Sequence, residues 1–164
     1  MGKTNSLLEE LVKKNREIAK LKSEALNISN EVFVEWSREL FDRYGRLESF
    51  SWNQYTPYFN DGDTCVFSAN TDYIKVNGEY AEDSEWISES IVTNWGTYNR
   101  ETKKYEGRVE VPNKGYDPEL AGAVKEIQSF LNSLDNDFYI FRFGDHSEIT
   151  VSREGIEVED YDHD

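Results

Sequence analysis

Between Gly2 and Gly45 the chain runs for more than forty residues with no glycine and no proline. Few uninterrupted segments of that length are anything but helix, and this one is rich in Leu, Glu, Lys and Ala. Residues 5–46 are therefore read as helical. Leu7, Leu11, Ile18, Leu21, Ala25, Ile28, Val32, Trp36 and Leu40 recur at steps of three, four or seven and draw one apolar stripe, with Lys14 its single polar interruption. Asn27, Ser29 and Asn30 are weak formers in a helix interior, so two helices broken there are the alternative to one. The second half widens its apolar face with Phe33, Val34, Phe41 and Tyr44, as a helix packed on a domain does. The first half sets Lys13, Lys14, Arg16, Lys20 and Lys22 around a narrow stripe, as a coiled-coil arm does. Self-association through this helix is the expectation; a helix lying on its own domain is the alternative.

Charge follows the same division. The chain of 164 residues has a formal net charge of −15. Residues 1–47 carry nine basic and eight acidic side chains, while residues 48–164 carry nine basic and 25 acidic ones. Eight acids lie within 61–89 against Lys75, and eight within 144–164 against Arg153. Such a surface repels duplex nucleic acid, whose affinity comes mainly from Lys and Arg. Only 37% of the chain is hydrophobic, but 14% is aromatic, enough large rings for a folded core. No apolar run reaches the roughly 20 residues of a membrane span, and the N-terminus lacks a signal-peptide core. A cytoplasmic location with no membrane contact is expected. Cys65, the one cysteine, has no internal disulfide partner.

After Gly45 the pattern turns to short strands. Leu47–Tyr58 reads as a strand, with Asn60-Asp61-Gly62-Asp63 as a turn and Thr64–Ala69 as its hairpin partner. Tyr73–Val76 is a strand ending at Asn77-Gly78, a favoured two-residue hairpin turn. A short helix is expected from Ser84, with Ile87, Ile91 and Trp95 stacked and Gly96 as its stop; Gly107–Val111 is a strand candidate. Asp117-Pro118-Glu119 opens the clearest helix, with Asp as N-cap and Pro in the first turn, running to about Leu134. Phe138–Phe143, Glu148–Ser152 and Ile156–Glu159 read as a three-stranded meander. The expected fold class is α+β: a long N-terminal helix or helix pair, then a mainly antiparallel sheet covered by one or two helices. The expected division is a helical arm over 1–46 and one α+β domain over 47–164.

Two stretches are candidate ligand sites. Over 51–63, Trp52, Tyr55 and Tyr58 alternate with amides, including Gln54; on a strand Trp52, Gln54 and Thr56 share one face. Such a surface stacks a planar ring and hydrogen-bonds its edges. In Tyr98–Arg108 the cations Arg100, Lys103, Lys104 and Arg108 reverse the local sign and suit an anionic small molecule. Together they would hold a nucleotide if they converge. The only histidines are His146 and His163, there is no nucleophile elbow or phosphate loop, and Cys65 has no neighbouring base. Asp61-Gly62-Asp63, Asp135-Asn136-Asp137 and the Asp160–Asp164 tail cluster oxygen ligands without the spacing of a calcium loop, and read as turns. No cofactor is implied.

In size and composition the chain resembles small acidic phage-encoded accessory proteins, some of which block host defences; the resemblance rests on no motif and carries no site residues. The leading expectation is a non-enzymatic, anti-defence type of binding protein whose acidic surface meets a basic protein partner. A nucleotide sponge using the aromatic strand and basic loop is the alternative, and a carboxylate enzyme with a divalent metal the second. The sponge needs Trp52–Asp63 and Tyr98–Arg108 in one pocket; the acidic-face reading has them apart.

Overall fold

The computed structural model describes residues 2–59 and 61–162. Helix α1 (Gly2–Arg43) is continuous, so the break at Asn27–Asn30 is not formed. Two polar side chains there find partners. The Ser29 hydroxyl donates to the Ala25 carbonyl at 2.9 Å, inside the helix, and Asn30 Oδ1 accepts from Arg142 Nε at 2.7 Å. Every described residue from Gly2 to Ala25 is exposed. From Leu26 onward one face enters the body, where Phe33, Ser37, Leu40 and Phe41 are buried. The expected division at residue 46 therefore falls after a helix whose C-terminal half is core.

Strand β1 (Ser49–Tyr55) is the centre of an antiparallel sheet. On one side it pairs with β9 (Ser147–Ser152), which continues to the edge strand β10 (Gly155–Asp160). On the other it pairs with β2 (Ser68–Ala69) and β3 (Lys75–Val76), and β3 turns into β4 (Glu79–Tyr80). The β3–β4 turn is the expected Asn77-Gly78, with both residues at positive φ. The Asn77 side chain also accepts from Glu48 N at 2.7 Å and donates to Arg46 O at 3.0 Å, tying the turn to the end of α1.

The inner sheet face carries Phe50, Trp52, Ile149, Val151 and Val76 against α1, α2 (Pro118–Ser133) and α3 (Asn136–Phe143). Phe33 is the hub, its ring centroid 5.7–6.2 Å from those of Trp36, Trp52, Phe130, Phe138 and Phe143. Trp36 stacks on Phe130 at 3.8 Å. Helix α2 starts as its sequence dictates: Asp117 accepts from Glu119 N and Leu120 N at 3.1 and 3.2 Å.

Two expected elements are corrected. Phe138–Phe143 is not a strand but most of α3. Asp135 caps it by accepting from Asp137 N at 3.2 Å, and Gly144 at φ 84° stops it. Six largely aromatic residues fit a strand or a helix turn equally well, and the caps decide. Nor is Ser84–Trp95 a helix. Asn113 Nδ2 donates to the Glu85 and Ser88 carbonyls at 2.6 and 2.8 Å, and Asn113 N to Glu89 O at 2.8 Å, so those carbonyls serve another segment. The β-branched Ile91-Val92-Thr93 then extend as β5 (Ser90–Asn94), paired with β8 (Val109–Pro112). Between them, β6 (Thr97–Asn99) and β7 (Lys104–Glu106) close an exposed ribbon that forms no part of the main sheet. Gly96 is required at its bend: φ is +79°, and a Cβ there would sit 2.1 Å from the Glu106 carbonyl oxygen. Among the described residues, no helix is long and apolar enough to cross a membrane.

Candidate functional site

The strand parity read from the sequence holds for Trp52 and Gln54, which it turns into the core, while Thr56 lies beyond the end of β1. Gln54 is fully buried and Trp52 is 2% exposed. The Trp52 indole donates to Gln54 Oε1 at 3.1 Å, while Gln54 Nε2 donates to the Tyr139 and Gly144 carbonyls at 3.0 and 2.6 Å. Both side chains are thus engaged inside the core. Tyr55 and Tyr58 remain at the surface, around His146: Tyr58 stacks on its ring at 4.7 Å, and Tyr55 lies 6.4 Å from it. Arg100, Lys103 and Lys104 lie in the turn and second strand of the β6–β7 ribbon, on a different sheet from β1, and Arg108 in the link from β7 to β8. Arg108 is already engaged, 2.6 Å from Glu110 and 5.2 Å from the Trp95 ring.

With Phe50, Trp52 and Gln54 facing inward, Asn53 and Tyr55 must face outward. Register places Glu148 and Glu159 in one row with Asn53, and Glu157, Thr150, Ser51, Lys75 and Tyr80 in the next. On this side Asn53, Lys75 and Glu148 are half-buried and Glu157 and Glu159 exposed. Here Tyr55, Tyr73, Tyr80 and Tyr161, with Asn53, Asn70, Glu82 and Asp83, line a cleft of about 400 Å³. Tyr161 is drawn in by its N–H, which donates to His146 O at 2.8 Å, and it stacks on Tyr55 at 5.6 Å. Asn70 Nδ2 donates to Asn53 Oδ1 at 2.5 Å, holding the β2 connection against β1. Lys75 shows what the rings accept: its ammonium lies 5.2 Å from the Tyr80 centroid and 3.3 Å from Glu148. Burial pushes the Tyr161 hydroxyl above its ordinary range, with Tyr55, Tyr80 and Glu148 adding to the effect, so it stays a neutral donor at neutral pH.

Nearby, Asp145 clamps the end of β1, accepting from Thr56 N and Thr56 Oγ1 at 2.7 Å each and from His146 N at 2.9 Å. Partial burial works to raise its pKa; those hydrogen bonds outweigh it and hold the carboxyl below the usual range.

Three of the four tyrosines escaped the sequence reading because they come from separate segments with no spacing in common. The one available signal was charge: Tyr73, Tyr80, Glu82 and Asp83 lie in the acidic stretch 61–89, Tyr161 in the acidic stretch 144–164. The sheet brings those two stretches together at the cleft. The oxygen clusters are occupied by turns and caps: Asp61 and Gly62 have positive φ, and Asp135 caps α3. The His163 end of the tail lies outside the described residues. Among the described residues, no group of three or more His, Cys, Asp or Glu side chains is placed to hold a metal ion. Compared with known proteins, the chain matches no family model, no curated protein and no solved structure.

Proposed function

We propose that the chain is a non-enzymatic binding protein whose acidic sheet face docks a basic protein partner, with a Lys or Arg side chain of that partner entering the tyrosine cleft. The observation that carries this is the cleft itself: four phenol rings and two carboxylates, where both acidic stretches meet. Ring faces attract a cation through their quadrupole, and Glu82 and Asp83 neutralise it. The surrounding carboxylates raise the encounter rate and set a salt dependence. Binding rather than catalysis is supported by the duties of the best-placed acids: Asp117 and Asp135 cap helices and Asp145 clamps a strand end. The location of Arg100, Lys103 and Lys104 on the separate ribbon and of Arg108 just after it, with Trp52 and Gln54 buried, favours this reading over a nucleotide sponge.

The test is fluorescence anisotropy with a labelled Lys/Arg-rich peptide and its Gln-substituted counterpart. A cation–ring contact contributes about 0.5–2 kcal/mol, so Tyr80→Ala or Tyr73→Ala should weaken the basic peptide about two- to thirtyfold. Lys75→Met should tighten it, because the chain's own ammonium no longer occupies the Tyr80 ring and Glu148. Equal affinity for the two peptides, or no effect of the tyrosine variants, would refute the cleft.

A further inference from the structure

Helix α1 has two apolar faces, and the body uses only one. Phe33, Ser37, Leu40 and Phe41 enter the core, whereas Leu7, Leu11, Ile18, Leu21, Ile28 and Val32 are 48–65% exposed. At 100° per residue, Ile28 and Val32 lie roughly 145° around the helix from the buried row. The exposed row therefore looks away from the body even where the helix is docked on it. Adding Lys14 and Ala25, its steps from Leu7 to Val32 alternate strictly between four and three residues. That is a repeat of 3.5, the period of a supercoiled pair rather than of a straight helix lying on a globular surface.

We propose that this row is the seam of a parallel, in-register, two-stranded coiled coil with a second copy of the chain. The orientation follows from charge. The residue preceding each of Leu11, Ile18, Ala25 and Val32 is a glutamate: Glu10, Glu17, Glu24 and Glu31. In an antiparallel pair these positions face their own kind, setting glutamate row against glutamate row. In a parallel pair each faces the position five further on in the other copy: Asn15, Lys22 and Ser29 for the first three, whereas Trp36, the fourth, is packed on Phe130 in its own body. That arrangement removes the repulsion and pairs Glu17 with Lys22 twice, once in each direction. Two strands are favoured by β-branched Ile18 and Val32 alternating with Leu7 and Leu21. Lys14 can carry its ammonium out of a two-stranded seam on its long stem, but not out of the closed centre of a larger bundle. The seam spans 26 residues, roughly 39 Å at 1.5 Å each, ample for a stable coil. Residues 2–25 also need it, since an isolated helix without tertiary packing is marginal in water. The inference does not depend on what the cleft binds. Parallel pairing places both bodies at the same end of the coil.

Light scattering on the full chain should give twice the 19.1 kDa chain mass across micromolar concentrations. Leu11→Glu with Leu21→Glu should return the chain to monomer with its near-ultraviolet circular dichroism unchanged, because both residues lie outside the body. Lys14→Leu should tighten the dimer at least about tenfold. Orientation is read from Leu7→Cys in a Cys65→Ser background. Oxidation should cross-link the dimer, since the two thiols sit at one level only when the strands are parallel. A monomeric full chain, a mass above two copies, or a dimer that fails to cross-link would each overturn the proposal.

Discussion

Replacing Gln54 by Met keeps the length of the side chain and deletes its amide, in a position with no access to water. The natural amide serves three groups: it accepts from the Trp52 indole at 3.1 Å and donates to the carbonyls of Tyr139 and Gly144 at 3.0 and 2.6 Å. Tyr139 lies inside α3, where the next turn of the helix supplies its carbonyl with a second donor. The buried Trp52 N–H has no such replacement, whereas the Gly144 carbonyl belongs to a half-buried residue. An orphaned buried group costs about 1–3 kcal/mol, so the substitution should destabilise by about that amount. That is a sizeable share of the roughly 5–15 kcal/mol that holds a domain of this kind. At about 2–4 °C per kcal/mol, the melting temperature should fall by about 2–12 °C. Urea unfolding followed by tryptophan fluorescence and a parallel thermal melt measure it. Gln54→Glu should be worse at neutral pH and partly recover in acid, because a carboxylate facing two carbonyls has its pKa raised. Its stabilising protonated form is then lost as pH rises. A loss below about 1 kcal/mol for Gln54→Met would refute the reasoning, since it would mean that the amide is not a buried junction.

Asp145 has a folded pKa below its unfolded one, so it contributes stability above the ordinary carboxylate range and loses it as pH falls through the folded value. Thermal melts from neutral to acid pH should therefore show a shallower acid decline for Asp145→Asn than for the natural chain; parallel curves would contradict the clamp. Gly96→Ala places a Cβ against the Glu106 carbonyl at a positive φ, so the ribbon should open while the core stays intact. Hydrogen exchange should quicken about tenfold or more across β6 and β7, a change of about 1.4 kcal/mol, with the global unfolding midpoint nearly unmoved.

The elements legible in the sequence are those whose signals are local. Asp117-Pro118 caps and opens α2, Asn77-Gly78 turns β3 into β4, and the proline-free run before Gly45 is α1, because each depends on a few neighbouring residues and their backbone preferences. The parity of β1 was legible for the same reason: side chains alternate on any strand. Which face is inside was not. Polar Gln54 beside Trp52 resembles a binding surface until α3 and the Gly144 that ends it supply two carbonyls from residues 85 and 90 positions away. Likewise Phe138–Phe143 has a composition that suits either element, and the caps at Asp135 and Gly144 choose the helix. Ser84–Trp95 had helical spacing, but Asn113 claims its carbonyls.

The sequence alone thus determined the α+β class, the long helix with its apolar row, and the concentration of acid in 61–89 and 144–164. Only the tertiary structure decided that the helix buries the face of Phe33 and Leu40 and leaves that of Leu21 and Ile28 open. It also decided that Tyr55, Tyr73, Tyr80 and Tyr161 meet across one sheet. Local preferences act over a few residues; the identity of the face that is buried, and of the side chains that share a cleft, depends on strand register and packing between segments far apart in the chain.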